Sequence, residues 1–178
     1  MIIIAIVIAV LALGAIWAYN SIVRAKVAVQ AAWSQIEVQL KRRHDLIPNL
    51  IETVKGYAAH EAATFESVTA ARANALNATT PAGVAAAEGQ LNQTLKSLFA
   101  VSEAYPDLKA STNFLALQEE LSTTENKVAF ARQYYNDSVR RLNTAISTFP
   151  LMLFKGSTKP AEFFDAPDAS DDAPSVKF

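Results

Sequence analysis

The chain has 178 residues, no cysteine, five glycines and a formal net charge of −1. Disulfide staples and thiolate metal sites are therefore excluded, and the length suits one domain of modest size. The charge is uneven, with a net −4 over residues 160–178 and +3 over residues 24–159. That basic excess is too weak to indicate a nucleic-acid partner.

From Ile2 to Tyr19 there is no charge and no proline. At 1.5 Å per residue the run to Val23 reaches about 33 Å, against a hydrocarbon layer of roughly 30 Å. Trp17 and Tyr19 stand at one end, where amphipathic rings favour the headgroup level, and Arg24 and Lys26 come directly after. Residues 1–23 are read as an uncleaved transmembrane anchor. A signal peptide would need a basic start, where only Met1 stands, and no clear small-x-small cleavage site opens a polar mature terminus. A buried core helix rarely stays uncharged for so long. Ala5, Ala9 and Ala12, continued by Ala15 or Ala18, line one stripe of this helix. Such stripes let membrane helices approach closely, which points to self-association through the anchor.

No turn signal separates the anchor from the next segment. Val29, Trp33, Ile36, Leu40, Ile47, Ile51, Val54, Ala58, Phe65 and Val68 recur in steps of three, four or seven, with one gap at His44. This predicts a helix over about 24–77, with a kink or restart near Pro48, which removes a backbone donor. Thr80-Pro81 suits an N-cap followed by proline at the first helical position. It opens a helix over about 82–104 that ends before Tyr105-Pro106. A third helix is expected over about 112–148, stopped by Pro150 and followed by the apolar patch Leu151–Phe154. Residues 155–178 read as a disordered, acidic tail with Phe163-Phe164 as its docking point. The body, 24–154, is thus an all-α, antiparallel three- or four-helix bundle.

Little in the chain carries chemistry. His44 and His60 lie about 160° apart around one straight helix and read as solvated. The string His60-Glu61-Ala62-Ala63-Thr64 lacks the second histidine of a zinc-protease motif. No nucleophile–base pair, phosphate loop or carboxylate pair stands out, so no enzyme, metal or cofactor is expected. The basic run Lys41-Arg42-Arg43 offers a contact surface, with Gln39, Asp45, Pro48 and Asn49 around it, for a protein partner or anionic lipid. Thr124, Glu125, Asn126, Arg132, Tyr135, Asn136 and Asn143 form a polar set expected to cross-link bundle helices.

The anchor, Tyr19-Asn20-Ser21-Ile22-Val23, Ala32-Trp33 and the block QLKRRHDLIPNLIETVKGYAAHE over 39–61 together resemble the LemA family of bacterial membrane proteins. So do Phe114-Leu115-Ala116-Leu117, Thr124-Glu125-Asn126-Lys127, Ala131-Arg132-Gln133-Tyr134-Tyr135-Asn136-Asp137 and Phe149-Pro150. The resemblance covers the chain to about Phe164. Lys155 departs from it, standing where members usually place glycine. What it implies is an anchored antiparallel bundle with no established enzymatic activity. A member of the family serves in magnetosome membrane formation, which suggests membrane organisation by analogy.

The expected function is a non-enzymatic, membrane-anchored scaffold that self-assembles and organises membrane or recruits partners. The alternative is an adaptor that binds a heterologous protein through its basic helix face. The expected partners of the scaffold are the lipid bilayer and further copies of the chain, with an unidentified protein partner in the adaptor alternative. No Lys or Arg precedes the anchor and several come after it, so the body is expected in the cytoplasm of a bacterial cell, below a single pass of the inner membrane.

Overall fold

The computed structural model describes residues 1–164, and these are all-α, with no strand among them. The helices are α1 (Ile2–Lys55), α2 (Ala62–Asn77), α3 (Pro81–Glu103), the short α4 (Pro106–Lys109) and α5 (Thr112–Ser147), with a 3₁₀ turn at Leu151–Phe154. Anchor and first body helix are one 54-residue helix. Pro48 does not end it. The helix expected over 24–77 is instead broken at residues 56–61, which separate α1 from α2.

The reason lies in the backbone. A proline in mid-helix leaves the carbonyl four residues earlier without its donor. That carbonyl belongs to His44, and Arg72 of α2 donates to it from Nε at 2.8 Å. Thr80 caps α3 as expected: its hydroxyl oxygen accepts from the Gly83 amide at 3.1 Å, with Pro81 at the start of the helix. A Cβ on residue 83 would meet that oxygen at 2.8 Å, so glycine permits this tight cap.

The chain falls into two compact units, where one body over 24–154 was expected: residues 1–38 with 129–163, and residues 39–128 with Phe164. The second unit is a helical bundle built from the end of α1, then α2, α3, α4 and the start of α5. Its core joins Ile47, Leu50 and Val54 to Phe65, Val68, Leu91, Leu95, Leu98, Leu108 and Phe114. Each such side chain contributes about 1.5–3 kcal/mol on leaving water. Lys55 Nζ stands 5.9 Å from the Phe65 ring centre, whereas Arg72 meets His44, so α1 and α2 run antiparallel.

In the first unit, α1 and α5 pair along one seam. Ala18, Ile22, Val29, Ala32 and Ile36 are buried on α1, and Ala131, Tyr135, Val139, Leu142 and Ile146 on α5. Trp33 and Tyr135 meet with ring centres 5.3 Å apart. A groove further along is lined by Lys26, Val29, Gln30 and Leu142, so this pair is antiparallel too. On the N-terminal side of Ala18 the apolar side chains of α1 stay outside the core. Ile3, Leu11 and Leu13 are among the most exposed.

Residues 155–164 are not the free tail expected of them. Asn143 Nδ2 donates to the Ala161 carbonyl at 2.9 Å, and its Oδ1 accepts from the Ala161 amide at 2.8 Å. Tyr135 donates its hydroxyl hydrogen to the Glu162 carbonyl at 2.8 Å. Lys155 takes an ordinary right-handed conformation, and the positive φ of the turn, 54°, falls on Gly156. Phe164 is buried and Phe163 half-buried. The aspartates at 165, 168, 171 and 172 lie outside the described residues.

Candidate functional site

The block from Gln39 to Asn49 was expected to present one contact surface. α1 instead distributes it around its circumference. Lys41, Arg42, Asp45, Pro48 and Asn49 are exposed, while Arg43 and His44 turn inward and are each 4% exposed. Gln39 is half-buried. His60 is exposed as expected, but the expectation of a solvated His44 is corrected.

Inside the bundle Arg43 and His44 meet α3. Arg43 donates from Nη1 to Glu88 Oε2 at 3.0 Å and from Nη2 to Asn92 Oδ1. His44 Nε2 lies 2.6 Å from Glu88 Oε1. One carboxylate thus serves two neighbouring residues of α1, one through each oxygen. Two buried atoms, Arg43 Nε and Gln39 Oε1, have no hydrogen-bond partner. They are a donor and an acceptor one helical turn apart, on the inward face.

The surface part of the basic run is also neutralised. Lys41 pairs with Asp45 at 3.0 Å and Arg42 with Glu120 at 2.6 Å, both in exposed positions. Exposed pairs contribute little stability, about 0–1 kcal/mol, but they matter for recognition. Each cation of Lys41-Arg42-Arg43 faces its own carboxylate, so the run is not a free basic patch.

The polar set expected along α5 does not form one network. Thr124 is buried and bonds back to the Glu120 carbonyl of its own helix at 2.8 Å, whereas Glu125 and Asn126 are exposed. Arg132, Tyr135, Asn136 and Asn143 belong to the other unit. Arg132 and Asn136 are half-buried there, while Tyr135 and Asn143 hold the returning segment. Ala5, Ala9 and Ala12 are exposed along the anchor.

Sequence reasoning missed Glu88, Asn92, Arg72 and Glu120. Glu88 had a visible signal. It stands in the stripe Val84, Glu88, Leu91, Leu95, Leu98, where the spacing calls for an apolar residue. Arg43 and His44 occupy the matching gap between Leu40 and Ile47.

Burial raises the Tyr135 pKa above 10.0, helped by the nearby Glu162 carboxylate. The sign comes from linkage. The unfolded chain releases the phenolic proton first, so the stabilising effect is complete below pH 10 and is lost as pH rises through the folded-state value. In a spectrophotometric titration one of the five tyrosines is expected to ionise after the others. Tyr135→Phe should remove that late step. Asn143→Ala, by freeing the segment over Tyr135, should move it back toward the rest.

The arrangement holds α1 and α3 together. Among the described residues no three His, Cys, Asp or Glu side chains group as a metal site. A groove of about 610 Å³ at the end of α1 and along α2 is lined by Lys55, Phe65, Glu66, Thr69 and the four alanines 59, 62, 70 and 73. α1 is long and apolar enough at its N-terminal end to cross a membrane. Fold and site together define a class: a helical protein with one apolar N-terminal helix that carries on into its packed body.

The LemA family profile matches residues 32–178, and the chain belongs to that family. It is 26% identical to magnetosome protein MamQ 2 of Paramagnetospirillum magneticum over 86% of this chain and 66% of that protein. It is 27% identical to magnetosome protein MamQ of Magnetospirillum gryphiswaldense over the same shares. With protein LemA of Metamycoplasma hominis the identity is 28%, over 73% of this chain and 60% of the relative. The chain therefore spans less than two thirds of the length of these relatives. It is a membrane-associated protein, and none of these names denotes an enzyme.

Proposed function

We propose that the chain is a non-enzymatic scaffold, anchored in the bacterial inner membrane, that self-assembles and organises membrane or recruits partners. The observation that supports this reading is α1 itself. One unbroken helix carries an exposed apolar half, with Ala5, Ala9 and Ala12 on it, and a half packed into the body. The magnetosome relatives support a role at a membrane. Arg24 and Lys26 directly behind the span favour a cytoplasmic body.

The ion pairs of Lys41 and Arg42 make the basic face a poor adhesive, so assembly is assigned to the anchor stripe. Light scattering of the detergent-extracted chain should give a mass of several copies. Replacing Ala5, Ala9 and Ala12 by leucine should reduce it to one or two. A monomer already in the unaltered protein overturns self-assembly. If crosslinking in cells then yields one dominant heterologous protein, the adaptor reading takes its place.

A further inference from the structure

The turn that closes α5 carries an apolar tip with no cover. Phe149 is 77% exposed, Leu153 66% and Met152 44%, while Leu151 and Phe154 beside them are half-buried. Three large apolar side chains side by side in water are costly, and such a patch marks an interaction surface. The register of its own unit shows which surface. Leu142 lies with Lys26, Val29 and Gln30 along the antiparallel seam. From Leu142 the last turn of α5 adds about 7.5 Å, and one 3₁₀ turn about 8 Å more. Going the other way along α1, Tyr19 is about 15 Å and Trp17 about 18 Å from Val29. Taken end to end these rises bring the tip to about the level of Tyr19, before Ser157 and Thr158 return to the groove beside Leu142.

Burial on α1 agrees. Ala18 is 1% exposed and Ile22 3%, although most neighbours before Ala18 are bare. Within this unit, only the end of α5 and its tip lie far enough along to cover them. The flanks carry charge of one sign: Arg24 and Lys26 on α1, and Lys155 and Lys159 after the tip, all exposed.

We propose that Phe149, Met152 and Leu153 form a second membrane contact, an apolar wedge seated at the headgroup–acyl boundary of the bilayer that holds the anchor. The inference rests on the reading that α1 spans that bilayer. A wedge of this kind enters about 5–10 Å, and the flanking lysines and arginines meet lipid phosphates. With two contacts the unit of residues 1–38 and 129–163 can no longer swivel about a single helix, so its tilt is set by the membrane surface.

The chain has no cysteine, so single probes are simple to place. Val10→Cys, Leu153→Cys, Met152→Cys and Phe130→Cys in the full chain would be labelled with a polarity-sensitive fluorophore. Each is then reconstituted in vesicles of phosphatidylethanolamine and phosphatidylglycerol. Phe130 is the control, being 73% exposed on the same unit but on the body side of the Trp33–Tyr135 contact. Probes at 152 and 153 should be several-fold brighter than at 130, and quenched best by lipid carrying a spin label near the headgroup. The probe at 10 should be quenched best by a label deep in the chains. If probes at 152 and 153 match the one at 130 while that at 10 is deep, the wedge is overturned and the anchor stands. If the probe at 10 is in water, the spanning reading itself falls, and this inference with it.

Discussion

Glu88→Ala is expected to destabilise the bundle of residues 39–128 by about 3–5 kcal/mol, because it leaves the Arg43 guanidinium buried without a counter-charge. The effect is large because Glu88 serves two residues at once, Arg43 at 3.0 Å and His44 at 2.6 Å. Chemical denaturation followed by circular dichroism would measure it. A companion variant separates specificity from stability. Replacing Arg43, His44 and Glu88 together by apolar residues of similar volume should be near neutral, since the cost of burying the charges disappears with the charges. A loss below about 1 kcal/mol in Glu88→Ala would show that water reaches Arg43 and that the site is not closed.

Phe114→Ala should cost a similar amount, about 3–5 kcal/mol, for a different reason. Phe114 is 1% exposed and is among the largest fully buried side chains of the described residues. Its ring meets Phe99 of α3 edge-on, with centres 6.1 Å apart. Removing it leaves a cavity between the start of α5 and the bundle core, which rigid neighbours refill only in part. Phe130→Ala is the contrast, since that ring stands in the open and its loss should be nearly silent on stability. Equal losses in the two variants would contradict a core built around Phe114.

Most helix ends were legible because they depend on local chemistry. The Thr80 cap with Pro81, the stop before Pro106 and the start of α5 at Thr112 all lie where the residues put them. The break between α1 and α2 was misplaced. Pro48 is a strong breaker in isolation, but Arg72, 24 residues further along the chain, supplies a donor to the carbonyl that it orphans. A local rule has no access to that partner. The return of residues 155–163 was missed for the same reason. Nothing in Asn143 or Tyr135 announces that a distant backbone segment will complete their hydrogen bonds.

The sequence by itself determined the apolar N-terminal helix, the all-helical body and the family, because these rest on hydrophobic period and on contiguous motifs. It left His44 solvated and Arg43 on a contact surface, although the spacing of the apolar residues is broken at both. Glu88 interrupts one apolar stripe, and Arg43 with His44 interrupts another. Only the tertiary structure decided that these interruptions face each other, turning an expected contact surface into a buried clasp. The physical reason is that a charge is tolerated in a core only when its partner is buried with it. That partner is 45 residues away in sequence, and helix periodicity carries no information at that distance.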